Sequence, residues 1–413
     1  MTLGETLTCE ITSFAYGGEG IARINGCVCF IPGAIPGEQA EVRVTQIKKR
    51  FARAELLAVL TPSPDRITPC CRVLDPTSGR LEQVPGCVYD HLAYPREVAA
   101  KHAQLISFIT RLPHQHAPLI LAPFPSPKAL HYRNKIVLHI QQTASGMRMG
   151  YRREPSHTLL DLPACPLACE AINDTLKEIR EDQSLQQPLR NGLNLTLRHT
   201  AVEGVRYWIN AEPPPLSDTD NTLTEQSPVG NVQVPFDGFY QVNPLVGNQL
   251  VHDVAEWFAQ DATAAELLEL YCGIGILGFA CLKAGATRLI GLESGRRAVA
   301  YAKQNAAQLG LTATFHCQTL GRATTTLQPW INQPDHTTCL VDPPRDGLAP
   351  EVTQALIKSG CRRLIYVSCD PATLTRDLAH FLAGGYHLTR FKLFDMFPRT
   401  AHFETLTELY RNK

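Results

Sequence analysis

Short apolar runs alternate with longer amphipathic segments from residue 234 to the end of the chain. Strands are predicted at residues 266–270, 288–292, 338–341 and 363–367. Helices are predicted at residues 246–258, 297–309, 351–358 and 372–382. Because this alternation is typical of parallel sheets covered by helices, residues 234–413 are predicted to form a Rossmann-like, doubly wound α/β domain.

Residues 1–61 show a different pattern, in which short alternating segments are separated by glycine turns. This pattern is typical of a small OB-like β-barrel. Basic side chains surround an aromatic residue on one predicted hairpin: Arg43, Lys48, Lys49, Arg50, Arg53 and Phe51. Such a hairpin can face a nucleic-acid backbone and offer its ring to a base. The pattern fits a solvated edge hairpin equally well, and both interpretations remain open.

Residues 62–233 carry a mixture of helical and strand-like patterns. Helices are predicted at residues 95–112 and 169–181, and strands at residues 135–140 and 193–198. Residues 213–230 are polar and rich in turn-forming residues, which predicts a loop or hairpin connection. We therefore expect an α+β central domain between the barrel and the Rossmann-like domain.

Composition excludes some classes of partner and location. Lys plus Arg and Asp plus Glu each number 39 among 413 residues, so net charge indicates no particular partner. The most apolar stretch, residues 267–282, is interrupted by glycines, and residues 1–5 lack signal-peptide features. We therefore expect a cytoplasmic protein with no membrane partner. Its 14 cysteines are then core residues, catalytic thiols or metal ligands.

A glycine-rich loop follows the first strand of the Rossmann-like region. Gly273, Gly275 and Gly278 have the spacing of a dinucleotide-binding loop. Glu293, at the end of the next strand, is placed to hold ribose hydroxyls. NAD and S-adenosylmethionine both carry that ribose, so the loop alone does not choose between them. Glu269, just before the loop, can act on a ligand amino group and favours S-adenosylmethionine.

Cys369 lies where a predicted buried strand ends, at the edge where open α/β proteins place their reactive groups. Asp342 follows the preceding strand, and Glu404 lies near the end of the chain. Methylation of uracil at C5 needs a thiolate that adds to C6 and a base that later removes the C5 proton. Cys369 and Glu404 can supply these two groups, although an isolated thiol fits a packed core equally well.

Five ordered motifs resemble those of the RNA 5-methyluridine (uracil-C5) methyltransferase family. They are residues 239–243 (FYQVN), 270–275 (LYCGIG), 341–345 (VDPPR), 367–374 (VSCDPATL) and 397–404 (FPRTAHFE). The match continues through residues 132–135 (YRNK) to residues 1–61, which resemble a TRAM domain. The resemblance therefore covers nearly the whole chain and implies an enzyme that uses S-adenosylmethionine.

The resemblance also implies roles for individual residues. Contacts with S-adenosylmethionine are implied for Gln241, Tyr271, Gly273, Gly275, Glu293 and Asp342. Asp342 would also lie near the uracil edge, while Cys369 adds to C6 and Glu404 takes the C5 proton. The implied partner is a structured RNA with a flipped target uridine, and the barrel favours 23S ribosomal RNA over transfer RNA. No obligate protein partner is evident.

Relatives in this family often bind a [4Fe-4S] cluster through C-x5-C-x2-C and a distant fourth cysteine. Cys87 and Cys165 match the third and fourth of these ligands. Val84 occupies the place of the second, and an insertion over residues 74–83 separates Cys87 from the adjacent pair Cys70 and Cys71. The sequence therefore allows either a cluster held by Cys70, Cys71, Cys87 and Cys165 or a degenerate site of packed cysteines.

Three other functions are compatible with parts of the sequence. An amino-group methyltransferase also carries Asp-Pro-Pro, but it usually continues with an aromatic residue where this chain has Arg345, and it does not need Cys369. A catalytically inactive RNA-binding protein would not need the pair Cys369 and Glu404. An NAD-dependent oxidoreductase is suggested by the glycine loop alone.

Overall fold

The computed structural model describes residues 1–75, 79–113, 117–144, 146–153, 156–209, 222–261, 263, 265–321 and 327–411. Backbone contacts divide the chain into two compact units. The first unit comprises Met1–Gln104, Lys128–Thr196 and Phe397–His402. The second unit comprises Leu105–Pro127, Leu197–Met396 and Phe403–Lys413.

The strands and helices are numbered along the chain. The strands are β1 (Thr6–Glu10), β2 (Ser13–Phe14), β3 (Gly20–Ile24), β4 (Cys27–Ile31), β5 (Gln39–Ile47), β6 (Phe51–Thr61), β7 (Arg72–Asp75), β8 (Arg80–Gln83), β9 (Leu119–Ile120), β10 (Lys135–Thr143), β11 (Gly146–Arg152), β12 (Leu159–Asp161), β13 (Asn194–Thr200), β14 (Gly204–Ile209), β15 (Thr222–Ser227), β16 (Gly230–Pro235), β17 (Glu266–Leu270), β18 (Arg288–Glu293), β19 (Thr314–Cys317), β20 (Thr337–Val341), β21 (Arg363–Ser368), β22 (Tyr386–Phe394) and β23 (Glu404–Arg411). The α-helices are α1 (Tyr94–Ile109), α2 (Glu170–Glu181), α3 (Gln183–Gln186), α4 (Pro244–Ala259), α5 (Ile276–Lys283), α6 (Arg296–Gln308), α7 (Pro350–Ser359) and α8 (Pro371–Ala383). None of the described helices combines the length and the apolar character needed to cross a membrane.

The first unit begins with a six-stranded sheet in the order β1-β5-β6-β4-β3-β2. Buried and exposed residues alternate along these strands because successive side chains point to opposite faces of a sheet. The buried face packs an apolar core that includes Ile11, Ala22, Cys29 and Val42. The β-rich character predicted for this region is confirmed, and Cys29 is a core residue.

The remainder of the first unit is an α+β region. The helices predicted at residues 95–112 and 169–181 are confirmed as α1 and α2. Strand β11 pairs antiparallel with both β10 and β12. The insertion before Cys87 forms the antiparallel hairpin β7–β8, although residues 76–78 lie outside the described part of the chain.

The connection predicted at residues 213–230 is described only in part. Residues 213–221 lie outside the described residues, and residues 222–230 belong to the antiparallel hairpin β15–β16 of the second unit.

An eight-stranded sheet forms the centre of the second unit, in the order β19-β18-β17-β20-β21-β23-β22-β9. Strands β17 to β21 are mutually parallel, which confirms the predicted Rossmann-like sheet. Strand β23 is antiparallel to both of its neighbours, β21 and β22. The sequence did not predict β9, β19, β22 or β23. The short connection between β22 and β23 explains why those two strands run in opposite directions.

Candidate active site

The topology of the sheet brings the three predicted catalytic residues to one edge. Cys369 follows the carboxyl end of β21, and Glu404 is the first residue of β23. Because these strands are antiparallel, with Ser368 paired to Thr405, the end of one lies beside the start of the other. Asp342 follows β20, the neighbour of β21 on its other side. A thiol and two carboxyl groups are therefore adjacent.

Glu404 has the environment of a carboxyl group that holds a proton strongly. The residue is 5% exposed, and its Oε2 atom has no hydrogen-bond partner among the described residues. Burial raises the pKa of Glu404 well above its ordinary value, and the nearby Asp342 raises it further, while Arg345 acts in the opposite direction. A raised carboxyl pKa suits a group that must accept a proton from carbon.

The thiol of Cys369 is held in its protonated form. Burial raises the pKa of Cys369 to about 12, with further contributions from the charges of Glu404 and Asp342, and Arg345 opposes them. The thiolate is the nucleophilic form of cysteine. At neutral pH, Cys369 is therefore mostly in the less reactive thiol form.

Two further carboxyl groups have raised pKa values in the same region. Burial raises the pKa of Asp342 to about 7. Burial also raises the pKa of Glu269 to about 8, and the charges of Asp342 and Glu293 add to that effect. The Oε2 atom of Glu269 has no hydrogen-bond partner within the described residues. Clustered carboxyl groups of this kind favour a cationic ligand, because a cation relieves their mutual repulsion.

A cleft of about 900 Å³ lies beside these carboxyl groups. Four of the predicted cofactor residues line it, namely Gln241, Tyr271, Gly273 and Asp342, and so does Glu269. The loop after β17 turns sharply, because Tyr271 and Gly273 both have positive φ angles, of 59° and 52°. Its backbone can therefore approach a ligand closely.

The other two predicted cofactor residues support the loop instead of lining the cleft. The Oε2 atom of Glu293 accepts a hydrogen bond from the Gly273 backbone N–H at 3.2 Å, and its Oε1 atom accepts one from Gly295 at 2.7 Å. Gly275 precedes helix α5 with a φ angle of 90°, and an added Cβ there would meet the Phe279 ring at 2.7 Å. The geometry of the loop thus depends on both residues.

Some cleft residues carried no recognisable signal in the sequence. Asn248 and Val251 come from α4, and Ala298 comes from α6. These are ordinary helix residues, and their one indirect signal is that α4 begins directly after the motif at residues 239–243.

Three of the four predicted metal-ligating thiols converge in the first unit. Cys71 forms side-chain hydrogen bonds with both Cys70 and Cys87. The hydrogen bond to Cys71, together with burial, raises the pKa of Cys70 far above its ordinary value. Cys165 lies 4.0 Å from the Tyr151 hydroxyl. Burial raises the pKa of Tyr151 well above its ordinary value, and the charges of Cys165 and Cys87 raise it further. Cys71 therefore connects Cys70 with Cys87, and Cys165 lies beside Tyr151 in the same unit.

The basic hairpin β5–β6 is only partly free to bind a ligand. Arg43 pairs with Glu55 at 2.6 Å, and Arg53 pairs with Glu19 at 2.5 Å. The Phe51 ring packs edge-on against another ring of the sheet at 5.6 Å. The turn residues Lys48, Lys49 and Arg50 are exposed, and the described residues show no ion pair for them.

Comparisons with known proteins identify the family of this chain. A family model described as tRNA (uracil-5-)-methyltransferase matches residues 229–412, and a TRAM domain model matches residues 1–57. The 23S rRNA (uracil(1939)-C(5))-methyltransferase RlmD of Pectobacterium atrosepticum is 31% identical, and the alignment covers 97% of this chain and 93% of that protein. RlmD of Shewanella woodyi is 30% identical, with coverage of 98% and 96%.

A solved structure shares the fold over nearly the full length. The Pyrococcus abyssi tRNA (uracil-54, C5)-methyltransferase, in complex with S-adenosyl-L-homocysteine, superposes with a TM-score of 0.71 at 22% identity, covering 97% of this chain and 99% of that one. The sequence relatives select the uracil-C5 class over the amino-group methyltransferases suggested by Asp-Pro-Pro and the oxidoreductases suggested by the glycine loop. The chain belongs to the family of S-adenosylmethionine-dependent RNA (uracil-C5) methyltransferases.

Proposed function

We propose that this protein methylates C5 of one specific uridine in 23S ribosomal RNA, with Cys369 as nucleophile and Glu404 as base. The observation that carries the mechanism is the antiparallel pairing of β21 with β23, which places the two residues side by side. The RlmD relatives, which match this chain over almost its whole length, support ribosomal RNA as the substrate.

The reaction begins with activation of the uracil ring. The target uridine leaves the base stack so that its C6 atom can reach the thiol. The Sγ atom of Cys369 bonds to C6, and its proton passes to a carboxylate of the cluster. The ring electrons displaced by this addition make C5 nucleophilic. Asp342, which lines the cleft and adjoins β21, orients the uracil edge and contacts the methyl donor.

Methyl transfer and release complete the cycle. C5 attacks the methyl group on the sulfonium of S-adenosylmethionine, and S-adenosylhomocysteine leaves. Glu404 removes the proton from C5, the double bond between C5 and C6 re-forms, and the sulfur of Cys369 departs. The Gln241 and Tyr271 side of the cleft holds the donor. The product is a 5-methyluridine, and the enzyme is free for another cycle.

RNA that contains 5-fluorouridine tests these roles directly. Fluorine at C5 cannot be removed as a proton, so we expect a covalent adduct between this RNA and Cys369 in the presence of S-adenosylmethionine. Cys369→Ala should form none, and Cys317→Ala, which changes an exposed thiol of the same unit, should form it normally. Glu404→Gln should accumulate an adduct with ordinary RNA. If the wild-type protein forms no adduct with either ribosomal or transfer RNA, the mechanism is wrong.

The RNA substrate is tested separately in cells. We expect a strain that lacks the protein to lose one 5-methyluridine from 23S ribosomal RNA and to keep those of transfer RNA. Loss confined to transfer RNA would overturn the choice of substrate while leaving the mechanism intact.

We also propose that Cys70, Cys71, Cys87 and Cys165 hold a [4Fe-4S] cluster. Four thiolates are the normal ligand set of such a cluster, and Cys71 interacts through its thiol with both Cys70 and Cys87. The Arg133 guanidinium interacts with the charges of Tyr151 and Cys165. A cation at this point compensates the negative charge of a thiolate-bound cluster.

Iron and acid-labile sulfide decide this second proposal. We expect protein purified without oxygen to contain about four of each per chain. Cys87→Ser should lose them, whereas Cys169→Ser, at the start of α2, should retain them. Folded wild-type protein that contains neither iron nor sulfide would show that these cysteines are packed thiols.

A further inference from the structure

One wall of the cofactor cleft is a segment without regular secondary structure. It runs from the end of β16 at Pro235 to the start of α4 at Pro244. Pro235, Gly238 and Gln241 of this segment line the cleft. A segment of this kind has few backbone hydrogen bonds of its own, so other groups must fix its conformation.

The buried side chain of Arg198 provides this support. Arg198 lies on β13 and is 1% exposed. Its Nη1 atom donates to three carbonyl oxygens of the segment, those of Pro235 at 3.4 Å, Phe236 at 3.4 Å and Gly238 at 3.1 Å. Its guanidinium also lies 5.9 Å from the centre of the Tyr240 ring. One side chain therefore contacts most of the wall.

Glu225 on β15 holds Arg198 in this position. Its Oε1 atom accepts hydrogen bonds from Nη2 of Arg198 at 2.7 Å and from Nε at 3.2 Å. Glu225 is itself only 5% exposed on its side chain. Because a buried cation without a partner is strongly unfavourable, the pair keeps the guanidinium charged and oriented toward the wall.

A second ion pair on the segment is a weaker support. Asp237 pairs with Arg297 at 2.5 Å, but the two side chains remain 29% and 22% exposed. Ion pairs open to solvent contribute little to stability. We therefore assign the main support of the wall to Arg198.

We propose that Arg198 is a positioning residue for the cofactor cleft and sets the affinity for S-adenosylmethionine with little effect on the chemical step. This inference rests on the proposed function, in which the cleft holds the methyl donor. Without the three carbonyl contacts, the wall samples several conformations, and the apparent dissociation constant rises as the binding-competent fraction falls. The catalytic edge lies on β21 and β23, so the chemical step at saturating donor should change little.

Arg198→Lys tests this proposal with a conservative change. We expect KM for S-adenosylmethionine and Kd for S-adenosylhomocysteine to rise about tenfold, the effect of one lost charge-assisted hydrogen bond. The kcat at saturating S-adenosylmethionine should stay within about twofold of wild type. Glu225→Gln, which keeps an acceptor but removes its charge, should raise the same constants about threefold and is the decisive variant if Arg198→Lys fails to fold.

Arg363→Lys is the matched control. Arg363 is equally buried, pairs with Glu408, and donates to the Phe258 carbonyl oxygen at 3.0 Å, but it lies at the start of β21, away from the cleft. This variant should lower stability without changing KM for the donor. The inference would be overturned if KM and Kd for the donor were unchanged in both Arg198→Lys and Glu225→Gln. It would also be overturned if Arg363→Lys changed these constants equally. If wild-type protein binds no donor, the proposed function fails instead.

Discussion

The repulsion between Glu404 and Cys369 can be measured without any RNA. Burial is the largest cause of the raised pKa of Cys369, and the charge of Glu404 is the next. Glu404→Gln removes that charge and leaves most of the burial in place. We therefore expect this substitution to lower the pKa of Cys369 from about 12.

The size of the change follows from the Coulomb interaction. Two unit charges about 4 Å apart interact by about 4 kcal/mol at an effective dielectric constant near ~20, which sets an upper limit. Because one pKa unit corresponds to about 1.4 kcal/mol and Asp342 still repels the thiolate, we expect the pKa of Cys369 to fall to roughly 10 or 11. A thiolate of lower pKa is also less nucleophilic, so alkylation at a fixed pH should accelerate by only about 3- to 10-fold.

Alkylation with iodoacetamide, followed residue by residue with mass spectrometry between pH 7 and pH 11, provides the assay. The exposed thiol of Cys317 is an internal control, and its rate should be the same in both proteins. An unchanged or slower reaction of Cys369 in Glu404→Gln would refute the electrostatic reasoning. Equal acceleration of both cysteines would indicate general loosening of the unit.

Two further predictions concern the cleft and the packing of the neighbouring strand β18. The carboxyl groups of Asp342 and Glu269, with pKa values of about 7 and about 8, are mostly neutral below that range and charged above it. S-adenosylmethionine carries a sulfonium and an ammonium, so its Kd should fall roughly tenfold from about pH 6.5 to about pH 8.5. Kd for S-adenosylhomocysteine, which lacks the sulfonium, should fall less. Calorimetric titrations in which the ratio of the two Kd values stays constant with pH would contradict this prediction. In Gly291→Ala, the new Cβ would lie 2.5 Å from Phe315 Cδ1 and 2.8 Å from Cys272 Sγ. The free energy of unfolding, measured in urea, should therefore fall by about 1–3 kcal/mol. An unchanged urea midpoint would show that the surrounding side chains can move to accept the methyl group.

Four of the five parallel strands, β17, β18, β20 and β21, could be predicted from the sequence because they are largely buried on both faces. Strand β21, for example, is buried at every residue from Arg363 to Ser368, and such strands appear as nearly continuous apolar runs. Strand β23 is almost as fully buried, yet its sequence alternates polar and apolar residues. Two of its polar side chains bond to groups distant in the chain: Thr407 donates to the Tyr366 carbonyl oxygen, and Glu408 accepts from Arg363. Such pairing is not visible in a local pattern.

The residues of the candidate site could also be predicted only as far as they belong to local sequence motifs. The order of the motifs was enough to select Cys369, Glu404 and Asp342, and the structure places all three at one sheet edge. The role of Arg198 was not predicted, because its partners lie 27 to 40 residues away in the chain and form no motif. Residues that act through packing or through backbone contacts are identified only once the fold is known.

The position of β23 has a consequence for biosynthesis. This strand follows the other seven strands of its sheet in the chain, yet it lies between β21 and β22. Until β23 is made, β21 and β22 each lack a partner along one edge, so the sheet beside Cys369 is incomplete. Nascent chains should therefore not present a working thiol before the strand that carries the base has been synthesised. Under the proposed mechanism, this order of assembly would prevent an incomplete enzyme from attaching to RNA that it could not release.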